Sequence, residues 1–245
     1  MARPNRIELA DDTSIPILYE DRSVLAIDKP AGWMLVPYNW DKTARNLQLA
    51  ISSAIRSNAF WVRSRNLRFL KYVHRLDAET TGILLFAKSP GAVRTFGDLF
   101  ESRRMHKRYL AVVRGEPKHD HWICQAKLGP DPKEHGIHRV DPRGKDAETS
   151  FKVIERKNRL TLIEARPVTG RTHQIRLHLQ HAGLPIVGDT TYGSPQDRAR
   201  RNPLMALRAV ELAYQDPFLH KPVRIAAPTQ EFVDHFLGAT GHSPA

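Results

Sequence analysis

His74 to Ser89 reads HRLDAETTGILLFAKS. Charge is crowded into its first half, and the GILLFA that follows is almost wholly apolar. A run this short between polar flanks reads as a strand from the middle of a sheet. Desolvating Arg75, Asp77 and Glu79 at the mouth of a buried strand is costly. Either the three charges stay in solvent just before the strand dives in, or one of them is held there for chemistry. Two-residue spacing places them on one side of an extended chain, and an aspartate backed by a buried sheet is a rigidly held nucleophile or base.

Working outward, Ile17 to Asp28 (ILYEDRSVLAID) gives a short strand, a turn at Glu20–Arg22 and a second strand that Pro30 and Gly32 stop. Residues 1–16 read as an exposed tail. Leu47, Ile51, Ala54 and Ile55 recur at helical spacing within Thr43–Arg56. Pro90 opens a further helix whose apolar face is Val93, Phe96, Leu99 and Phe100. RYLAVVRG, from Arg108 to Gly115, reads as a strand, and residues 118–145 as short strands and loops. AETSFKVIE and LTLIEARP form a hairpin about a turn at Lys157–Asn158. THQIRLHLQHAG is a helix, capped by Thr172, with Ile175, Leu179 and Ala182 inward and Gly183 at its end. LMALRAVELAY and PVRIAAP are strands, and 229–237 a terminal helix.

Strands outnumber helices and neighbour one another as hairpins. The expected fold is therefore α+β, with a mixed, mostly antiparallel central sheet flanked by helices and loops. No repeat or linker divides the chain, so one domain over residues 17–237 is expected, between an N-terminal tail (1–16) and a C-terminal tail (238–245).

Thirty-eight Lys and Arg against 26 Asp and Glu leave a formal charge of +12 over 245 residues. That favours a polyanionic partner, nucleic acid above all. A single cysteine, Cys124, excludes an internal disulfide framework and fits a reducing cytoplasm. No apolar stretch is long enough to span a bilayer, and the first residues lack a signal-peptide core. Nothing implies a protein partner, and a monomer is the default.

Basic residues interleave with aromatics in FWVRSRNLRFLKYVHR (Phe60–Arg75) and RRMHKRY (Arg103–Tyr109). Arg63, Arg65, Arg68, Lys71, His74, Lys107 and Arg108 are candidates to track phosphates while nearby rings stack on bases. In GRTHQIRLHLQH (Gly170–His181), Arg171 and Arg176 suit phosphate or carboxylate partners. His178 and His181 lack a third ligand at a helical offset and read as solvated histidines. The loops HDHWIC (119–124) and HGIH (135–138) match no closed zinc spacing. No metal site is expected.

Taken together, HRLDAETTG with ILLFAKS, then KRYLAVVRG, then RPVTGRTHQIRLHLQHAGLPIVGDTTYG resemble the RluA-type pseudouridine synthases, and the likeness runs from about Ile17 to Phe232. The resemblance implies a catalytic domain with a mixed, largely antiparallel sheet and an RNA-binding cleft. It carries the catalytic nucleophile onto Asp77. It carries onto Tyr109 the tyrosine that packs on the target base and is a candidate for the late proton transfer. It carries onto Arg171 the arginine that pairs with the aspartate, and onto Arg75 the residue that fills the gap left by a flipped nucleotide. Thr81 stands where many relatives have Ser. Arg208 replaces a frequent His, and QDP at 215–217 replaces a common HP. Sixteen residues leave no room for the family's S4-type module, so the catalytic domain is expected to recognise RNA by itself.

The implied reaction isomerises uridine to pseudouridine in ribosomal or transfer RNA. The N1–C1′ bond breaks, the base turns and C5 takes the place of N1, a sequence that calls for no redox cofactor or metal. Asp77 attacks either C1′ of the ribose or C6 of the base. The uridine must leave its stack to reach it. Two rival readings are an RNA-binding protein whose catalysis has lapsed and a nucleoside-cleaving glycosylase using Asp77 with Glu79.

Overall fold

A computed structural model describes residues 4–35, 45–201 and 203–238. The described residues fall into two compact units, one within Met1–Met105 and Glu211–Ala227, the other within His106–Val210 and Pro228–Ala245. The first opens with β1 (Arg6–Glu8), β2 (Ser14–Glu20), β3 (Val24–Lys29), α1 (Leu47–Arg56) and α2 (Phe60–Arg63). It continues through β4 (Lys71–Tyr72), β5 (Thr81–Ala87) and α3 (Pro90–Glu101). The second holds β6 (His106–Arg114), β7 (His121–Cys124), β8 (Leu128–Pro130), β9 (His138–Val140), β10 (Thr149–Lys157) and β11 (Leu160–Pro167). After α4 (Gln174–His181) and α5 (Pro195–Arg198), β12 (Leu207–Gln215) carries residues of both units. β13 (Pro222–Ala226) closes the first unit and α6 (Gln230–Leu237) the second.

Strand pairs of described register are antiparallel, and a lone bridge between Met34 and Asn46 is parallel. The fold is thus α+β with a mixed, mostly antiparallel sheet, as the strand pattern implies. In the first unit β1, β2, β3 and β5 pair in that order, and β4 lies against the end of β5. The GILLFA run is buried throughout because β3 flanks it and α3 packs on it through Phe96 and Leu99. Ser89 caps α3 by accepting from Ala92 N, and Asn46 caps α1 by accepting from Leu49 N. The helix expected from Thr43 begins at Leu47; positions 43 and 44 lie outside the described residues.

The exposed tail expected over residues 1–16 is corrected. Ile7 and Ile15 face each other across β1 and β2 and are fully buried, and Trp61 Nε1 donates to Glu8 O at 2.9 Å. Three residues of strand are too short to announce themselves by alternation, whereas burying two isoleucines in register stabilises the pair by about 3–6 kcal/mol. Of the expected C-terminal tail, 239–245 lie outside the described residues.

In the second unit β7, β10, β11 and β6 pair in that order. The turn joining β10 and β11 is one residue beyond the expected place. Asn158 and Arg159, both with positive φ, sit between the paired Lys157 and Leu160, the conformation that matches strand twist in a two-residue hairpin. Ile163, Ala165, Leu179 and Val210 belong to this unit's core.

Candidate active site

Asp77 lies in the loop from Val73 to Thr80 between β4 and β5. This loop is a turn rather than the extended approach expected from two-residue spacing, because Thr80 N donates to Asp77 O at 3.2 Å. Arg75 and Glu79 are exposed, while Asp77 is half-buried. Before it, His74 Nε2 accepts from Leu85 N at 3.1 Å and its ring stacks on Phe100 at 4.6 Å, so this face of the imidazole serves the fold. After it, Lys29 reaches in from the end of β3. Its ammonium donates to Ala78 O and Thr80 O at 2.8 Å and to Pro30 O at 2.9 Å, and Gly32 N donates to Ala78 O at 2.8 Å. Gly32 adopts φ +81°, which a side chain disfavours. Burial lowers the Lys29 pKa to about 8, against the pull of Glu79 and Asp77. The sequence reading passed over Lys29. Its signal was a lysine at the third inward position, after Leu25 and Ile27, of a buried strand.

The basic segment before this loop divides. Arg63, Arg68 and Lys71 are exposed, Arg63 lying 5.9 Å over the Phe60 ring. Arg65 is not a phosphate contact. Its side chain is 3% exposed, its Nε meets Glu20 at 2.8 Å, and its other nitrogens serve Trp61 O and Pro4 O. Lys88 holds the other oxygen of Glu20 at 2.7 Å. Burial opposes the Glu20 charge, but these two cations outweigh it and lower the carboxyl's pKa.

On β6, Lys107 and Tyr109 share one face and Arg108 the other. Tyr109 pairs with Ala165 and packs against the core. Arg108 meets Glu164 at 3.3 Å. Lys107 Nζ donates to Thr169 O at 3.0 Å, and desolvation lowers its pKa to about 8. That carbonyl belongs to the turn carrying Arg171.

Gln174 is the hub of this turn. Its carboxamide oxygen accepts from Thr169 Oγ1 at 2.7 Å and Arg171 N at 2.9 Å; its nitrogen donates to Glu148 O and Thr149 Oγ1, both at 2.9 Å. Two acceptor and two donor sites are all it has, and all four are filled. Arg171 Nε donates to Asp146 O at 2.9 Å, which aims a half-buried guanidinium. The cap expected at Thr172 is corrected as well. His173 occupies the N-cap in a left-handed conformation, φ 55°, and offers no side-chain cap; its Nδ1 lies 2.8 Å from Tyr192 Oη, which also accepts from His138 N.

α4 is buried on every side from Gln174 to Leu179, and Ala182, expected inward, is exposed. Two readings of this helix change with it. Arg176, expected at phosphate or carboxylate and a candidate for RNA contact, takes an internal carboxylate: it is 3% exposed and forms a two-pronged pair with Asp189 at 2.7 and 2.8 Å, with its guanidinium 5.0 Å over the Tyr192 ring. His178, expected in solvent, is fully buried between Thr149 Oγ1 and Ala126 O, each at 3.0 Å; desolvation lowers its pKa, keeping it neutral. Among the described residues, no cluster of His, Cys, Asp or Glu could hold a metal, and no helix is long and apolar enough to cross a membrane.

Comparison with known proteins brings these segments under one description. A sequence profile described as RNA pseudouridylate synthase matches residues 23–181, which contain Lys29, Asp77, Tyr109, Arg171 and Gln174. The chain is 37% identical over 220 residues to "Ribosomal large subunit pseudouridine synthase C" of Vibrio vulnificus, covering 88% of this chain and 66% of that protein. The same figures hold over 223 residues for the like-named protein of Escherichia coli K12. The chain thus spans about two thirds of the length of these curated relatives. Among solved structures, "Human RNA Pseudouridylate Synthase Domain Containing 1" superposes with a TM-score of 0.70 at 26% identity, covering 87% of this chain and 83% of that one. A second human structure, "Domain Containing 4" of the same title, shares the fold with a TM-score of 0.69 at 22% identity.

Proposed function

The chain belongs to the RNA pseudouridylate synthase family, and on that premise we propose that it isomerises particular uridines of structured RNA to pseudouridine. Its relatives carry ribosomal large subunit in their names, which makes ribosomal RNA the first substrate to try and transfer RNA the second. Residues 17–237, together with β1 and the start of β2, act as one cytoplasmic catalytic domain, and the sequence implies no protein partner.

Asp77 is the nucleophile, Arg171 the guanidinium that sustains its charge, Tyr109 the ring under the target base and a participant in the closing proton transfer. Arg75, exposed beside Asp77, fills the stack that the everted uridine leaves. Attack by the Asp77 carboxylate at C1′ or C6 accompanies loss of the N1–C1′ bond. The base turns, C5 bonds to C1′, the bond to Asp77 breaks and returns its electron pair to the carboxylate, and the C5 proton departs while N1 gains one. Product and substrate have equal mass. Arg63, Arg68, Lys71 and Lys107 remain the candidates for RNA contact.

One observation carries the reading. The HRLD and GRTHQ segments fall within a single family match, and each is held by a buried side chain satisfied at every polar atom, Lys29 for the first and Gln174 for the second. Tritium release from [5-³H]uridine RNA tests it. Release with unchanged RNA mass is the expected result. Free uracil would mark a glycosylase instead, and RNA binding without release a lapsed enzyme. Asp77→Asn should abolish release while keeping RNA affinity within several-fold; Arg171→Met should abolish it with the fold intact. Pseudouridine maps of ribosomal and transfer RNA, with and without the gene, identify the position modified.

A further inference from the structure

Ser194 to Arg201 reads SPQDRARR, with three arginines in its last four positions and a single acid. That acid does not neutralise them. The Asp197 side chain is fully buried and accepts from Arg114 Nε at 2.7 Å, Arg114 Nη2 at 2.8 Å and Ser194 Oγ at 2.6 Å. The pair pins α5 to the end of β6. Backbone bonds continue the turn: Arg198 N to Ser194 O, Ala199 N to Pro195 O and Arg200 N to Asp197 O, at 2.9 to 3.2 Å. At Gly193 a Cβ would stand 2.1 Å from Asp189 O and 3.1 Å from Asp197 Cβ, so the chain before α5 is packed too closely to shift.

Arg198, Arg200 and Arg201 are exposed on this anchored turn, and their side chains make no hydrogen bond or ion pair to another described residue. Three neighbouring cations repel one another, and no described residue pairs with them. A guanidinium presents a fork of donors that matches phosphate oxygens. A fixed backbone spares the ordering of the turn itself on binding, and only the side chains' rotamer freedom is given up. The segment carries no large apolar side chain, which a protein partner would need at the centre of its interface.

We propose that the Arg198–Arg201 turn binds the phosphate backbone of RNA, as a contact site distinct in sequence from the segments of Asp77, Tyr109 and Arg171. It rests on the reading that the substrate is RNA. The site tethers without touching the reacting uridine, so its removal weakens binding and leaves the chemical step alone.

The test compares wild type with Arg198→Gln/Arg200→Gln/Arg201→Gln and with the corresponding triple Lys variant. Dissociation constants for ribosomal RNA fragments are measured across a salt series, with single-turnover tritium release at saturating RNA. The Gln variant should bind about tenfold more weakly at low salt, and its plot of log affinity against log salt should be shallower by about 2. Its saturated rate and thermal midpoint should match wild type, and the Lys variant should keep the slope. A Gln variant with wild-type affinity and slope overturns the inference. Unchanged RNA binding with lost binding to polyglutamate overturns it in favour of an acidic protein surface. Wild type that binds RNA but releases no tritium sinks the proposed reaction alone, because the salt slope reports phosphate contacts without turnover.

Discussion

Lys29 Nζ lies 2.8 Å from the carbonyl oxygen of Ala78, the residue after Asp77, and the two are 49 positions apart in sequence. The same carbonyl accepts from Gly32 N, so the carbonyl of the residue after the proposed nucleophile is held by two donors, one at the end of β3 and one just past it. Burying a cation opposes folding, yet three carbonyl dipoles and two nearby carboxylates keep this one in place.

Lys29→Met keeps the side chain's length and removes all three bonds. Ala78 O keeps its bond from Gly32 N, while the carbonyls of Pro30 and Thr80 lose this donor, at a cost of about 1–3 kcal/mol for each group left unsatisfied. Urea unfolding should show that loss. Turnover should fall on the order of 10²-fold through misplacement of Asp77, with RNA affinity nearly unchanged. A folded variant turning over at the wild-type rate would remove Lys29 from any positioning role.

Stability should rise with pH between about 8 and 10 on account of Lys29 and Lys107. Burial lowers both pKa values to about 8 from the ordinary lysine value of 10.5. In that window the unfolded chain holds protons that the folded chain has released, so raising pH favours the folded state. Below about pH 8 both lysines are charged in either state and their burial penalty is at its fullest. Above pH 10 the raised pKa of Tyr19, about 12, works in the opposite direction. Urea midpoints measured from pH 7 to 10 should show a smaller upward slope for Lys107→Met than for wild type; parallel curves would contradict the buried ammonium.

Gln174→Glu preserves shape and both accepting contacts but turns the amide nitrogen into an oxygen facing Glu148 O and Thr149 Oγ1. Repulsion at Glu148 O should shift the Arg171 turn and lower the rate at saturating RNA by about 10–100-fold, with little change in affinity. Acid pH should restore part of the rate, because the introduced carboxyl group donates again once protonated. A pH–rate profile parallel to that of wild type would assign Gln174 to the fold alone.

Arg176→Met leaves the Asp189 carboxylate buried with only the backbone donors of Thr191 and Tyr192. Breaking a buried pair from one side costs about 3–5 kcal/mol. In the native protein burial pushes the Asp189 pKa up, but Arg176 and these amides hold it below the usual carboxylate range. The stability this lends is present at neutral pH and lost as pH falls through the folded value. The variant's deficit should therefore shrink in acid. Adding Asp189→Leu should recover part of the loss in urea unfolding; two effects that simply add would show that the pair is not coupled.

The sequence by itself determined the elements whose signals are local. GILLFA is a buried strand because a six-residue apolar run between polar flanks has few other solutions, and α3 is a helix because Ser89, Pro90 and four apolar residues at helical spacing agree. The motif segments carried Asp77, Tyr109 and Arg171 as the residues to look at, and the charge of +12 carried the polyanionic partner. Tertiary structure decided what the remaining charges do. Arg65, Arg176 and His178 look solvent-facing from their own segments, yet they are enclosed by partners 45, 13, and 29 and 52 positions away. Gln174 likewise became visible only through the groups it holds, and the inward position of Lys29 on its strand gave no hint of the carbonyls it meets. Whether a polar side chain is buried depends on acceptors brought up by distant chain, and periodicity, which reports only which neighbours share a face, contains no information about them.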